Sequence, residues 1–276
     1  MNKGAPLDGG TPGRSLGEGQ RGVSTGIPRV GAGECHVWFA EAVGAVRVPG
    51  LLELLDDREL ARHDAFAREQ DRALYLTAHA LAREVVAEQL GMGPREVRFV
   101  LECRHCDRPE PHGKPGLAGS PLELSLSHSG SRVAVALSLA GPVGVDLEEI
   151  AAGDRAAELA PAVLSTAERA ALERLPEAER AAGFTRYWAR KEAVLKATGD
   201  GLMVEPARLT VSAPEEPAAL LAWDDRKEPH LPVRLQDVDP GTGYRAAVAV
   251  LGAECTVVRH DAAYGGDGTL YRPRPQ

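Results

Sequence analysis

FTRYWARKEAVLKATGDGL, residues 184–202, decides how the rest of the chain is read. At about 100° per residue, Phe184, Trp188 and Leu195 fall on one narrow apolar stripe, with Glu192 at its margin about 40° from Trp188. A carboxylate at the edge of a packed face needs a cation or strong donors, because desolvation penalises its charged form. Lys196, four residues on, offers one as an i,i+4 helix pair. On this helix alone, that ordinary pair is a sufficient reading.

Two further stretches bear on Glu192. In VGVDLEE (143–149), Asp146 and Glu148 are two apart, so on a strand they leave the same face while Val145 and Leu147 leave the other. Two carboxylates sharing a small space repel, and either water or a divalent cation with oxygen ligands relieves them; near phosphates that cation is usually Mg²⁺. An exposed polar strand face is the plain alternative. In LSLSHSG (124–130), a strand runs into a turn that presents Ser127, His128 and Ser129. Such a turn can bind phosphate oxygens, or it can be a hairpin with an incidental histidine.

The chain has 276 residues, 43% of them apolar and 26% charged, enough for one large domain or two packed units. No apolar run is long enough to span a bilayer, so a membrane protein of that kind is excluded. With 40 acidic against 32 basic residues the net charge is -8, which argues against a general nucleic-acid binder. A small phosphorylated ligand needs only a local basic cluster, for which Arg58, Arg62, Arg68, Arg72 and Lys114 are available, each equally explicable as a solvated helix face. Residues 1–33 are rich in Gly and Pro and read as a disordered tail. They lack the apolar segment of a secretory signal, which points to the cytoplasm. The four cysteines need not form disulfides. Cys103 and Cys106 have the spacing of a zinc knuckle, but no second closely spaced pair follows, so a loop with free thiols is expected.

Hydrophobic period gives the organisation. CHVWFAEAV (35–43) reads as a first strand, Asp56 to Leu90 as helical, and Gly91 with Gly93-Pro94 as the stop. CDRPEPHGKPGLAGSP (106–121) reads as a loop, followed by strands at LELSLS, RVAVALSL and VGVDLE. Helices are expected from about Arg155 to Thr198, then strands, of which GYRAAVAVL (243–251) is clearest. The expectation is an α+β protein: a tail to residue 33, lobes over 34–142 and 143–260, and a C-terminal tail over 261–276.

HGKP (112–115), LSHSG (126–130), GVDLE (144–148), WARKEAVLK (188–196) and GDGL (199–202), in that order and at these separations, resemble the 4′-phosphopantetheinyl transferases. The likeness is closer to the monomeric type that activates nonribosomal peptide and polyketide synthases. It covers roughly residues 35–255.

The resemblance implies two pseudo-symmetric α/β lobes with the active site in the cleft between them. It implies that Asp146, Glu148 and Glu192 hold Mg²⁺, that Glu192 also accepts a proton, and that Lys196 meets the phosphates. Coenzyme A would be bound by Lys114, Ser127, His128 and Lys196, with Arg58, Arg62 and Arg72 as contacts for its 3′-phosphate. In the first long helix the family often places basic residues, and here Glu59 stands at one such position, flanked by Arg58 and Arg62. The implied reaction moves phosphopantetheine from coenzyme A to a serine of an apo acyl or peptidyl carrier protein and releases adenosine 3′,5′-bisphosphate. A carrier-binding module without catalysis is the competing reading, and the three carboxylates with Lys196 speak against it. Carrier docking is expected on the segment after Glu148, through some of Val163, Leu164, Leu172 and Leu175.

Overall fold

The computed structural model describes residues 26–102, 113–150, 152–224, 232–252 and 254–273. Residues 1–25 of the expected tail, and the Cys103–Cys106 pair, lie outside the described residues. Strand β1 (Glu34–Glu41) sets the layering. Its side chains alternate, so Trp38 and Ala40 enter one core while Cys35, Val37 and Phe39 enter another. On the first side lie helices α1 (Asp57–Asp64) and α2 (Glu69–Leu90). The continuous helix expected from Asp56 is thus two helices, and α2 stops at Gly91 in the left-handed conformation, φ 67°.

Strands β2 (Phe99–Glu102) and β3 (Lys114–Leu117) pair antiparallel, so the end of the expected loop is a strand. Strands β4 (Glu123–Ser129) and β5 (Arg132–Ser138) pair with each other, and β5 with β1. Strand β6 (Val143–Glu149) starts the second half. Helices α3 (Gly153–Val163), α4 (Thr166–Arg174) and α5 (Glu177–Thr198) follow. Next come a short β7–β8 pair (Leu209–Val211, Leu220–Trp223), β9 (Val233–Val238) and β10 (Tyr244–Leu251). The second sheet has the order β6-β10-β9.

The last strands depart from the expected boundaries. β11 (Thr256–Tyr264) runs parallel to β1, and β12 (Leu270–Tyr271) pairs with β11, giving the first sheet the order β12-β11-β1-β5-β4. Residues 256–271 therefore complete the N-terminal sheet rather than forming the end of the second lobe and a tail. His260, Ala262 and Tyr264 alternate inward under α2, and the Tyr264 hydroxyl donates to Glu84 Oε2 at 2.5 Å. The start of the chain also packs further than expected: Ile27 and Val30 are buried against the first core, and Val30 N donates to Gln89 Oε1 at 2.8 Å.

The layers run α2, first sheet, second sheet, α5, with an apolar core in each of the three gaps. Each lobe carries one 22-residue helix on the outer face of its sheet. Along one edge β4 meets β6, and the join is made by side chains. Ser125, Ser127 and Ser129 each accept a bond from β6, from the N–H groups of Val145, Leu147 and Glu149, at 3.0, 3.1 and 3.1 Å.

Helix α5 lies close on β6 because Gly144 has no side chain. A Cβ there would stand 2.0 Å from the Ala193 carbonyl oxygen and 2.4 Å from Ala197 N, both backbone atoms that cannot move alone. Gly144→Ala is therefore expected to push α5 off the strand and to cost about 2–3 kcal/mol, in the range of core overpacking. Thermal unfolding checks this; an unchanged midpoint would mean that the helix yields freely.

Candidate functional site

A cavity of about 800 Å³ opens above the β4–β6 seam, between α2 and α5. That volume suits a cofactor-sized ligand. The first lobe contributes Arg58, Glu59 and Arg62 of α1, Tyr75 and His79 of α2, Phe99 of β2, and Leu126, Ser127 and His128 of β4. The second contributes Asp146 and Glu148 of β6 and Trp188, Glu192 and Lys196 of α5.

At the α5 end the geometry departs from the simple helix pair. Lys196 Nζ reaches Asp146 Oδ1 at 2.6 Å and Ser127 Oγ at 3.0 Å, across to β6 and β4. Ser127 in turn donates to Asp146 Oδ1 at 3.0 Å, and Ser129 to Glu148 Oε2 at 2.8 Å. The seam serines thus hold the β6 backbone with their lone pairs and its carboxylates with their protons. With two bonds accepted and one donated, the Ser127 hydroxyl is fully used within the protein. It orients Asp146 and Lys196, a different position from the solvent-facing turn expected of it.

Glu192 is 8% exposed, and its Oε1, like Asp146 Oδ2, is buried with no hydrogen-bond donor among the described residues. Burial, and after it the Asp146 charge, pushes the Glu192 carboxyl up to about 7, with Lys196 opposing. Glu148 is likewise raised to about 7, by burial first and Asp146 next, with Ser129 and Lys196 opposing. Two raised carboxyls and two orphan oxygens mark a place short of positive charge. The donor set, carboxylate oxygens alone, fits a hard divalent cation such as Mg²⁺. Among the described residues no three His, Cys, Asp or Glu side chains are gathered into a ready-made ligand cage, so these oxygens would supply only part of a coordination shell.

Two buried cations fix the aim of α5. Arg190 pairs with both oxygens of Asp237, at 2.9 and 2.7 Å, and donates to the carbonyls of Ser212, Ala213 and Glu216. Lys191 Nζ meets Glu168 at 2.5 Å and the carbonyls of Val163, Pro206 and Leu209. Of the RKE triplet in the opening stretch, only Glu192 is left to the cavity.

At the other end, Arg58 and Arg62 stand exposed at the rim, Arg62 over the Phe66 ring at 5.1 Å. His128 of β4 lines the same cavity and is exposed; partial desolvation, then Lys196 and His79, hold its imidazole below the usual value. Glu59 is buried at 1% exposure, accepting from Arg83 Nε at 2.7 Å and His79 Nδ1 at 2.8 Å. Two expected ligand residues are elsewhere. Arg72 does not line the cavity; it bonds Glu69 and the Phe66 carbonyl, tying the turn between α1 and α2. Lys114 lies in a neighbouring pocket of about 250 Å³, with Nζ 3.7 Å from Glu123 Oε2, because on β3 it alternates away from Gly113 and Pro115, which do line the cavity.

Of the expected docking residues, Val163 and Leu164 are core, while Leu172 and Leu175 are half-buried. Leu172 packs on the second core, and Leu175 and Leu172 crowd Gly183 of α5. Sequence reasoning missed His79 and the joining role of Ser125, Ser127 and Ser129. The serines had a signal, their strict alternation with Leu124 and Leu126; His79, one polar ring on an apolar helix face, had almost none.

Residues 142–249 match the ACPS family, described as the 4′-phosphopantetheinyl transferase superfamily. The chain is 32% identical over 228 residues to the 4′-phosphopantetheinyl transferase HetI of Nostoc sp., an alignment spanning 79% of this chain and 88% of that protein. It is 46% identical over 88 residues to the 4′-phosphopantetheinyl transferase AcpT of Salmonella typhimurium, covering 32% of this chain and 46% of the relative. A holo-(acyl-carrier-protein) synthase from Bacillus anthracis, solved in complex with CoA (3′,5′-ADP), aligns with 42% of this chain and 96% of its own at 21% identity and a TM-score of 0.33.

The raised carboxyls make a stability prediction. With a folded pKa of about 7 against an ordinary 4.5, Glu192 keeps a proton in the folded state that the unfolded chain gives up. Its contribution is full below about 4.5 and is lost as pH rises through about 7. Glu192→Gln should therefore be near-neutral at pH 5 and stabilising by about 1–3 kcal/mol at pH 8, measured by thermal unfolding without divalent cations. A gain that does not grow with pH would contradict the buried, unpaired carboxylate.

Proposed function

The chain belongs to the 4′-phosphopantetheinyl transferase superfamily and transfers the phosphopantetheine arm of coenzyme A to carrier proteins; we propose that it does so in the cavity over the β4–β6 seam, with Asp146, Glu148, Glu192 and Lys196 at the reacting end. One observation carries this reading. Two buried carboxylate oxygens without donors among the described residues, Asp146 Oδ2 and Glu192 Oε1, come from strand and helix to one cavity wall beside Lys196.

Asp146, Glu148 and Glu192 would hold Mg²⁺. When bound, that ion supplies charge neutralisation on the diphosphate of coenzyme A. The carrier serine hydroxyl attacks the β-phosphorus; a new P–O bond forms, the bridging P–O bond breaks, and adenosine 3′,5′-bisphosphate leaves with the bonding electrons. Glu192 takes the serine proton, from the cavity wall that it shares with Asp146, Glu148 and Lys196. Lys196, held by Ser127 and Asp146, lies ready to meet the negative charge that builds on the departing phosphate. Trp188 lines the same cavity. Arg58, Arg62 and His128 at the rim receive the 3′-phosphate. All these groups come from one chain, so the proposal is of a monomer acting on an apo acyl or peptidyl carrier domain.

Incubation with coenzyme A, Mg²⁺ and a panel of apo-carrier proteins, read by intact mass, tests the reading. Asp146→Asn, Glu148→Gln and Glu192→Gln are each expected to lower turnover by at least about 100-fold while the fold survives, and chelator should stop the unmodified enzyme. Lys196→Ala should fall comparably. Full turnover in chelator, or by all three carboxylate variants, would remove the carboxylates from the chemistry.

A further inference from the structure

The turn that joins β4 to β5 is clasped from both lobes at once. At its tip Gly130 has φ 59°, and a Cβ there would stand 2.4 Å from the Tyr244 hydroxyl oxygen and 2.9 Å from Glu149 Cδ. Only a residue without a side chain lets the second lobe come this close. Ser131 N donates to Tyr244 Oη at 2.9 Å, and Ser131 Oγ lies 3.2 Å from the same oxygen. Because Ser131 Oγ gives its own proton to Glu41 Oε2, at 3.0 Å, the phenolic proton of Tyr244 goes to Ser131 Oγ, and the groups form one directed chain. From the first lobe, Gln70 Nε2 of α2 donates to the Gly130 carbonyl at 2.6 Å.

The consequence falls on Ser129. Of the seam serines, Ser125 and Ser127 lie inside the β4–β5 ladder, opposite Ala136 and Ala134, whereas Ser129 opposes Arg132 in its last pair. A residue at the end of a ladder is supported by strand pairing on one side only, and such ends open first. It is nevertheless Ser129 that bonds Glu148, donating to Oε2 at 2.8 Å while accepting from Glu149 N at 3.1 Å. Glu149 is in turn the register partner of Tyr244 across β6 and β10. Ser129, Glu149, Tyr244 and Ser131 thus close a ring of contacts around the end of the seam, and the Tyr244 hydroxyl is the link that returns to the turn. The phenol ring itself is placed by packing: it is buried in the core between the sheets, with the Arg132 guanidinium 5.9 Å from its centroid.

We propose that Tyr244 is a positioning residue for the transfer: by holding the turn through Ser131 it keeps the Ser129 proton on Glu148, and so sets the direction in which that carboxylate offers its oxygens to a divalent cation. This rests on the reading of Glu148 as a cation ligand, and adds to it a residue that does not line the cavity. The need differs between the two strand carboxylates. Asp146 is held by both Ser127 and Lys196, whereas among the described residues Ser129 alone donates to Glu148. A glutamate side chain has one more rotatable bond than an aspartate, so an unsupported Glu148 loses more freedom when a cation fixes it. A hydrogen bond that orients it beforehand removes part of that cost from binding.

Tyr244→Phe removes one oxygen and leaves the ring in the core. Calorimetric titration with Mg²⁺ in saturating coenzyme A, beside turnover of an apo-carrier protein at varied Mg²⁺, separates lost orientation from lost fold. The variant is expected to bind Mg²⁺ about fivefold more weakly, to need correspondingly more of it for half-maximal turnover, and to come within about twofold of the unmodified enzyme once Mg²⁺ saturates. Ser129→Ala supplies the second arm: in that background Tyr244→Phe should change Mg²⁺ affinity by less than about twofold, since the path it acts through is already cut. Where Tyr244→Phe does not fold, Ser131→Ala, at an exposed position, takes its place with the same pattern at about threefold. A lower unfolding temperature with unchanged Mg²⁺ affinity, or the same loss in both backgrounds, overturns the assignment of Tyr244. An unmodified protein that turns over fully without binding Mg²⁺ would instead overturn the reading of Glu148 on which the assignment stands.

Discussion

Three serine hydroxyls on the edge of β4 join the two sheets along β6, and the placing of Asp146, Glu148 and Lys196 depends on them. Backbone pairing could not make this join without flattening the two sheets into one. A hydroxyl reaching out to a β6 N–H lets the second sheet fold over the first, so that Val143, Val145 and Leu147 pack against Cys35, Val37 and Phe39. The same hydroxyls have protons to give, and Ser127 and Ser129 give them to Asp146 and Glu148. Lobe assembly and carboxylate orientation are therefore one interaction.

Buried cations do the corresponding work for the helices. Arg83 draws the α1 cap and the 94–97 turn onto α2, while Arg190 and Lys191 pin α5 to the β7 segment and to α4. Each is fully buried and each has its donors answered, which is what makes such burial tolerable. Their value is geometric: the apolar contacts of a helix on a sheet permit sliding and rotation, and a guanidinium held by six acceptor atoms, as that of Arg190 is, does not. Glu192 and His79 inherit that fixed orientation.

The cavity is charged in opposite senses at its two ends. Carboxylates crowd one wall beyond what Lys196 balances, and cationic or ionisable groups gather at the other. A ligand that carries phosphates throughout is matched to this arrangement only if a cation accompanies it at the acidic wall, which is the physical content of the Mg²⁺ proposal. The overall charge of -8 says nothing about either end.

The sequence by itself determined the periodic features. Alternation in LELSLS and VGVDLE put Asp146 and Glu148 on one strand face, and the 3.6-residue repeat put Glu192 on the rim of a buried stripe, because these periods are set by local backbone geometry. It also placed the stop at Gly91 and the two-lobed α+β plan. Only the tertiary structure decided partners. Lys196 crosses to Asp146 instead of closing on Glu192, Lys114 and Arg72 fall outside the cavity, and Glu59 is a buried anchor beside His79. The return of β11 to β1 was equally invisible, since its pairing spans more than two hundred residues and its own pattern names no neighbour. An ion pair or a strand pair forms where charges and edges arrive in space, and that distance is fixed by the packing of elements far apart in the chain.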